Sequence, residues 1–183
     1  YLPVQENGLV DLDLLRRTLR RGETSLCTIM HVNNEIGVMQ DLHAIGQLCR
    51  EHDVVFHTDA AQALGKMPVD VKAMNIGAMS LSGHKVYGPK GVGALYLRRR
   101  PRVRLEPLMS GGGQERGIRS GTLPTALVVG FGAACHIAQH EMARDDLHVR
   151  RLAKRLLDGL SARVPEITVN GDLHSRYPGN VNI

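Results

Sequence analysis

Short apolar runs separated by helical patterns constrain this chain more than any other feature. The runs "SLCTIM" (25–30), "VVFHTD" (54–59), "AMSLSG" (78–83) and "GALYLR" (93–98) read as buried strands. Between the first two, "DLHAIGQLCREHD" (41–53) sets Leu42, Ile45, Leu48 and Cys49 on one face of a helix. Upstream, "VDLDLLRRTLRRG" (10–22) offers Asp11 as a cap, Leu12, Leu15 and Leu19 as an apolar stripe, and Gly22 as a stop. Strand–helix–strand order predicts an α/β fold with a mostly parallel sheet and right-handed crossovers. The step from 78–83 to 93–98 is too short for a crossover helix, so that pair is expected to be antiparallel. After Thr122-Leu123-Pro124, with Pro124 suited to a first turn, a helical pattern runs to about Leu160 and turns strongly charged from Arg144.

Composition narrows the class of molecule. At 183 residues and 43% hydrophobic the chain can build a real core, but aromatics are only 3%, so aliphatic side chains must fill it. The three cysteines, Cys27, Cys49 and Cys135, are odd in number, far apart and set in apolar or helical stretches. They read as buried thiols of a reduced compartment rather than a disulfide framework. The longest apolar run, "ALVVGFGAACHIA" (126–138), is too short to span a membrane. The chain opens on "YLPV" without a methionine and closes on "GNVNI", both strand-like, and is expected to be a piece cut at both ends.

Ligands of open parallel sheets bind beyond the carboxyl ends of the strands. Four polar clusters are expected at such ends: "HVNNEIG" (31–37), "TDAAQ" (58–62), "SGHK" (82–85) and "SGGGQERGIRSGT" (110–122). Asp59 and Lys85 are separated by about one crossover unit, which would bring them to one crevice. Lys85 follows a Ser-Gly-His cluster, whereas Lys90 follows Pro89 in a turn and is expected to face solvent. Gly83-x-x-x-x-Gly88 lacks the lysine of a nucleotide phosphate loop, because Pro89 stands there. His136 and His140 lie one helical turn apart without a third ligand nearby, so a solvated face is favoured over a metal pair and no metal site is assigned.

The stretches "NNEIGV", "HTDAAQALGKMPVDV", "SLSGHKVYGPKGVGALYLRRRPRVR" and "SGGGQERGIRSGT" occur in the order found in cysteine desulfurases, which the chain resembles along essentially its whole length. That family consists of class V, fold type I enzymes dependent on pyridoxal 5'-phosphate (PLP) that feed sulfur to iron–sulfur cluster assembly. The resemblance implies a large-domain sheet sandwiched by helices. It places residues 1–142 in the central part of a PLP-binding large domain. Residues 143–183 would form a long linking helix and the start of a small domain. It puts the cofactor's covalent anchor and catalytic lysine at Lys85 and the partner of the pyridine nitrogen at Asp59. Gln62 would bond the ring hydroxyl oxygen, with Asn34 near that oxygen and the substrate. Ser82 and His84 would hold the phosphate, and Thr122 would reach the phosphate of the opposite subunit of a homodimer. These types suit the chemistry: a carboxylate keeps a pyridinium protonated, and desolvation beside other cations helps a lysine lose its proton.

The activity implied is conversion of L-cysteine to L-alanine, with sulfur passed on as an enzyme persulfide. The family's sulfur-attacking cysteine sits on a mobile loop that none of Cys27, Cys49 and Cys135 matches, so the piece is expected to lack it. Another class V enzyme, such as a selenocysteine lyase, would share Lys85, Asp59 and Gln62, and a basic binding module without a cofactor is the rival of another class. The run "RRRPRVR" (98–104) has no interleaved aromatics, which favours a docked protein over nucleic acid. The resemblance implies an iron–sulfur scaffold protein as a partner, and frataxin or another acidic partner at Arg98–Arg104. It places the protein in the mitochondrial matrix of a eukaryote or in the cytoplasm of a bacterium.

Overall fold

In the computed structural model, which describes residues 1–183, Asp11 starts the first helix as its side chain allows. Its carboxylate accepts from the Asp13 and Leu14 amides, both at 2.9 Å, satisfying donors that no helical carbonyl can reach. Helix α1 (Leu12–Thr18) ends before Gly22, because Leu19 leaves the helix in an extended conformation. Leu15 and Leu19 are nonetheless buried, as the stripe requires. Gly22 takes a positive φ in the turn beyond the helix rather than stopping it directly.

The strands are β1 (Leu26–Thr28), β2 (Val55–Asp59), β3 (Ala78–Ser82) and β4 (Gly93–Leu97), ordered β1-β2-β3-β4 in one sheet. The β1–β2 and β2–β3 pairs are parallel, while β3–β4 is antiparallel as its short connection demands. Period-two alternation sorts the residues by face. Cys27, Phe56, Thr58 and Met79 are buried, whereas Thr28, His57, Asp59 and Ser80 share the other face and are less buried.

Helix α2 (Leu42–Glu51) crosses from β1 to β2 and lays its predicted stripe of Leu42, Ile45, Leu48 and Cys49 into the core with Phe56, Ile76 and Met79. Each such aliphatic side chain contributes about 1.5–3 kcal/mol through burial. Gly46 lies in the same stripe, where a Cβ would stand 1.9 Å from the Met74 carbonyl oxygen. Only glycine permits this approach of helix and loop.

Helix α3 (Thr125–Ser161) begins one residue after Pro124, which caps it instead of entering its first turn. Its amino-terminal half packs on the turn after β3 rather than on a strand: Gly130 meets Pro89, and Ala134 meets Gly88. Its carboxyl-terminal half bears exposed pairs such as Arg150–Asp146 at 2.7 Å and Lys154–Asp158 at 2.6 Å, the charged face expected from Arg144 onward. Beyond it, residues 170–182 fold back on the 33–39 turn, with Met39 donating to Ser175 O and Tyr177 donating to Gly37 O.

Candidate active site

Parallel β1, β2 and β3 all end on the same edge, and three of the four predicted polar clusters meet there. After β1, Asn33 forms a turn in which its side-chain oxygen accepts from the Glu35 and Ile36 amides. Asn34 is exposed at the tip, its carbonyl held by Asn180 Nδ2 at 3.0 Å. The β2 strand ends at Asp59, whose main-chain oxygen accepts from His31 N at 2.9 Å. Asp59 Oδ1 accepts from Ala61 N at 2.8 Å, and Oδ2 makes no hydrogen bond within the chain. The turns after Asp59 carry Gln62, whose Oε1 accepts from Lys66 Nζ at 3.0 Å.

After β3 the chain enters a 3-10 turn, Gly83–Val86. Ser82 Oγ and His84 Nδ1 lie 3.1 Å apart at its start. Gly83 is required here, because a Cβ would approach Val92 O to 2.9 Å and Pro89 O to 3.1 Å. Lys85 lines a small cleft of about 100 Å³ with Lys66, Tyr87, Ala134, Glu141 and Asp145, and Asp59, Gln62, Ser82 and His84 do not line it. Burial holds the Lys66 ammonium below the usual lysine range, and the nearby Lys85 charge adds to this. Lys85 itself is exposed, so the desolvation expected around it is not supplied by the chain's own residues. Lys90 is exposed in the following turn, as expected.

The fourth cluster does not follow the other three. Because β4 runs antiparallel, its carboxyl end, Leu97, pairs with Ala78 at the amino end of β3. The arginine run therefore leaves from the opposite edge of the sheet. There Arg98, Arg99, Arg100, Arg50, Lys72 and Arg116 line an open groove of about 1180 Å³. The middle of the 110–122 loop, Glu115, Arg116 and Ile118, lines that groove, and the loop leads on to α3, whose Leu127 and Gly130 stand beside Gly91 and Pro89. It is ordered by its own contacts: Gln114 Oε1 accepts from Gly121 N at 2.9 Å, and Ser120 is buried. Thr122 is exposed and makes no hydrogen bond within the chain.

Two histidines were not singled out from the sequence. His57 bridges three strands, with Thr28 Oγ1 at 2.7 Å from Nδ1 and Ser80 Oγ at 2.9 Å from Nε2. Burial lowers its pKa, partly opposed by the Asp59 carboxylate on the same face. The alternation of β2 would have put His57 on Asp59's face, but its two partners depend on register. His31 is buried beside Asp59 with Nδ1 unpartnered, and burial with the His43 charge lowers its pKa.

A carboxylate, an amide, a hydroxyl–imidazole pair and an amine lie at the carboxyl edge of a parallel sheet, the edge at which α/β proteins of this class bind their ligands. Comparison with known proteins makes the class specific. The family model described as aminotransferase class-V matches residues 1–183, and the chain belongs to that family, whose members use PLP. It is 63% identical over its full length to a protein of Dictyostelium discoideum named "Probable cysteine desulfurase, mitochondrial". It is 60% identical to "Cysteine desulfurase, mitochondrial" of Arabidopsis thaliana. The chain spans about 40% of the length of each of these relatives. Among solved structures, a NifS-like protein from Rickettsia africae superposes with a TM-score of 0.91 at 31% identity, over 97% of this chain and 49% of that one. No helix is long and apolar enough to cross a membrane.

Proposed function

We propose that the protein is a PLP-dependent cysteine desulfurase, taking L-cysteine to L-alanine and passing the sulfur on for iron–sulfur cluster assembly and related sulfur transfer. The observation that carries the reading is the meeting of Asp59, Gln62, Ser82, His84 and Lys85 at one sheet edge, in a chain so similar to named desulfurases. The donor set fits PLP. Asp59 has one carboxylate oxygen without a partner, able to hold a proton on the ring nitrogen. Gln62 has a free amide NH2 for the ring oxygen, and Asn34 stands at the tip of the neighbouring turn. Ser82 and His84, hydrogen-bonded to each other, leave one donor for the phosphate: the Nε2–H where Ser82 donates to Nδ1, or the hydroxyl where Nδ1–H donates to Ser82. Lys85 would hold the cofactor covalently and, once freed by substrate, move a proton at the substrate's α-carbon. When bound, PLP supplies an electron-poor ring that takes up the charge left at that carbon.

Exposed Thr122 is assigned to the phosphate of a partner subunit in a homodimer. The persulfide-forming cysteine is assigned outside Tyr1–Ile183, because Cys27 and Cys49 are buried in the core and Cys135 lies within α3. The cation-lined groove at the opposite sheet edge suits an acidic protein such as frataxin, beside an iron–sulfur scaffold partner. The mitochondrial relatives favour the matrix for a eukaryotic protein, with the cytoplasm as the bacterial equivalent. The test is borohydride reduction of the PLP-loaded full-length protein followed by peptide mapping. Lys85→Ala should abolish the trapped adduct and Lys90→Ala should keep it; an adduct mapped to Lys90 refutes the assignment.

A further inference from the structure

We propose that Lys66 is a positioning residue that fixes which end of the Gln62 amide faces the cofactor. The inference rests on the reading that Lys85 holds PLP and that Gln62 meets its ring oxygen. A glutamine amide has an acceptor end and a donor end of nearly the same shape, and only its hydrogen-bond partners decide between them. Lys66 Nζ, which can only donate, lies 3.0 Å from Gln62, so the atom facing it must be the oxygen. The NH2 group then points away from Lys66, and no acceptor in the chain engages it. That end can donate to a negatively charged ring oxygen. A flipped amide would present an oxygen to that oxygen and repel it.

The surroundings hold Lys66 in this place. Leu64 N donates to Ala60 O at 2.9 Å and Lys66 N to Ala63 O at 3.0 Å, winding the chain so that residues 62 and 66 share one side. Gly65, at φ +73°, lets that winding press against Val86, the residue after Lys85. A Cβ there would come within 2.5 Å of Val86 and 2.9 Å of Ala138. The ammonium also sits 5.4 Å from the centre of the Tyr177 ring, which favours a cation over its face. Lys66 is half-buried beside the Lys85 charge, two penalties that a lysine free in solvent would avoid. The amide oxygen, the aromatic ring and the Glu141 and Asp145 carboxylates that line the same cleft from α3 offset them in part.

The test uses the full-length PLP-loaded enzyme and reads the pH at which the visible absorption of the bound cofactor changes. Lys66→Met removes the donor that holds the amide oxygen, so the NH2 end is held less firmly toward the ring oxygen and the chromophore keeps its proton to higher pH. The expected rise is about one pH unit, the size that one hydrogen bond to a charged oxygen gives. Lys66→Arg keeps a cationic donor and should stay near the parent midpoint. Gln62→Leu should itself raise the midpoint, and adding Lys66→Met to it should change nothing more, because the amide is already gone. Lys66→Leu, uncharged and without a donor, serves as the second variant where Lys66→Met does not hold the cofactor. An unmoved midpoint in the uncharged variants overturns the inference. So does an equal shift with and without Gln62, which would mean that the Lys66 charge acts directly through space. Lys85→Ala separates the two readings. If it loses the trapped adduct while Lys66→Met leaves the midpoint unmoved, only the Lys66 inference fails. An adduct that survives Lys85→Ala refutes both.

Discussion

Replacing Gly46 by alanine tests how tightly α2 is pressed against the loop that feeds β3. Glycine inside a helix ordinarily costs about 1 kcal/mol relative to alanine, so propensity alone predicts a gain from Gly46→Ala. The geometry reverses the sign. The new methyl would stand 1.9 Å from Met74 O, 2.9 Å from Met74 C and 3.3 Å from Asn75 Cβ. A carbon atom needs ~3.4 Å or more from such neighbours, so helix and loop would have to part by about 1.5 Å. Neither is free to move. Met74 and Ile76 are in the core, Ile76 N donates to Val71 O at 2.9 Å, and Gly77 N donates to Phe56 O at 2.7 Å. Ile45 and Leu48, flanking Gly46 on the helix, would lose the same contacts. Overpacking of this kind costs about 1–3 kcal/mol, and its upper end applies where backbone rather than a side chain is struck. The expected net loss is about 2 kcal/mol, or roughly 4–8 °C in the thermal midpoint for a domain of this size. Scanning calorimetry and urea midpoints on Gly46→Ala would measure it. Gly132→Ala is the control, because Gly132 lies in α3 with no atom within 4 Å of its would-be Cβ, and it should gain stability. A Gly46→Ala protein as stable as the parent would refute the argument.

Asp59→Asn should leave PLP bound but slow turnover on the order of a hundredfold, since an amide cannot hold the ring nitrogen protonated. Near-normal rates would make Asp59 structural. His31 is held neutral in the fold below the ordinary histidine value of 6.5, while the unfolded chain takes up a proton there. Its contribution is therefore fully present above about pH 6.5 and is lost as the pH falls towards the folded value, with His57 acting in the same sense. Urea midpoints measured at about pH 7.5 and about pH 5.5 should drop, and less so in His31→Phe; an unchanged difference in the variant would exclude His31 as the cause. The 183-residue chain supplied with PLP and cysteine should release no sulfide above its Lys85→Ala blank. Burial raises the Cys135 thiol pKa, and Cys27 and Cys49, lowered and raised respectively by the hydrogen bond between them, are both shielded in the core. Lys85-dependent sulfide would show that one of them is competent.

The order of elements could be read from the sequence because each depends on local pattern. The α2 stripe, the Asp11 cap and the β3–β4 hairpin all follow from spacing within one segment. Helix ends were less legible: α1 stops at Thr18 because Leu19 turns inward to the core, a tertiary demand that Gly22 does not report. The candidate site was legible wherever a polar cluster directly follows a parallel strand. It failed for the fourth cluster, although the antiparallel step that displaces it had itself been predicted. Cross-strand partners were hidden as well. The Thr28–His57–Ser80 bridge needs the register of three strands, and the Lys66–Gln62 contact needs an irregular turn with no periodic signature.

The reversal of β4 divides the molecule's chemistry between two edges. Three strands deliver Asn34, Asp59 and Ser82 to one edge, and the fourth carries Arg98–Arg100 to the other, about 17 Å away for strands of five residues. On the proposed reading, an anionic group in the arginine groove would therefore not compete with a cofactor phosphate held by Ser82 and His84. Charges that attract an acidic protein would likewise lie away from a substrate at Lys85. One segment joins the edges. Glu115, Arg116 and Ile118 line the groove with Arg98–Arg100, and their loop leads into α3, whose first turns stand against Pro89 and Gly91, on the connection that carries Lys85. Gly83 and Gly88 are held by backbone contacts in that connection, so α3 and the turn of Lys85 are joined by packed backbone rather than by flexible side chains.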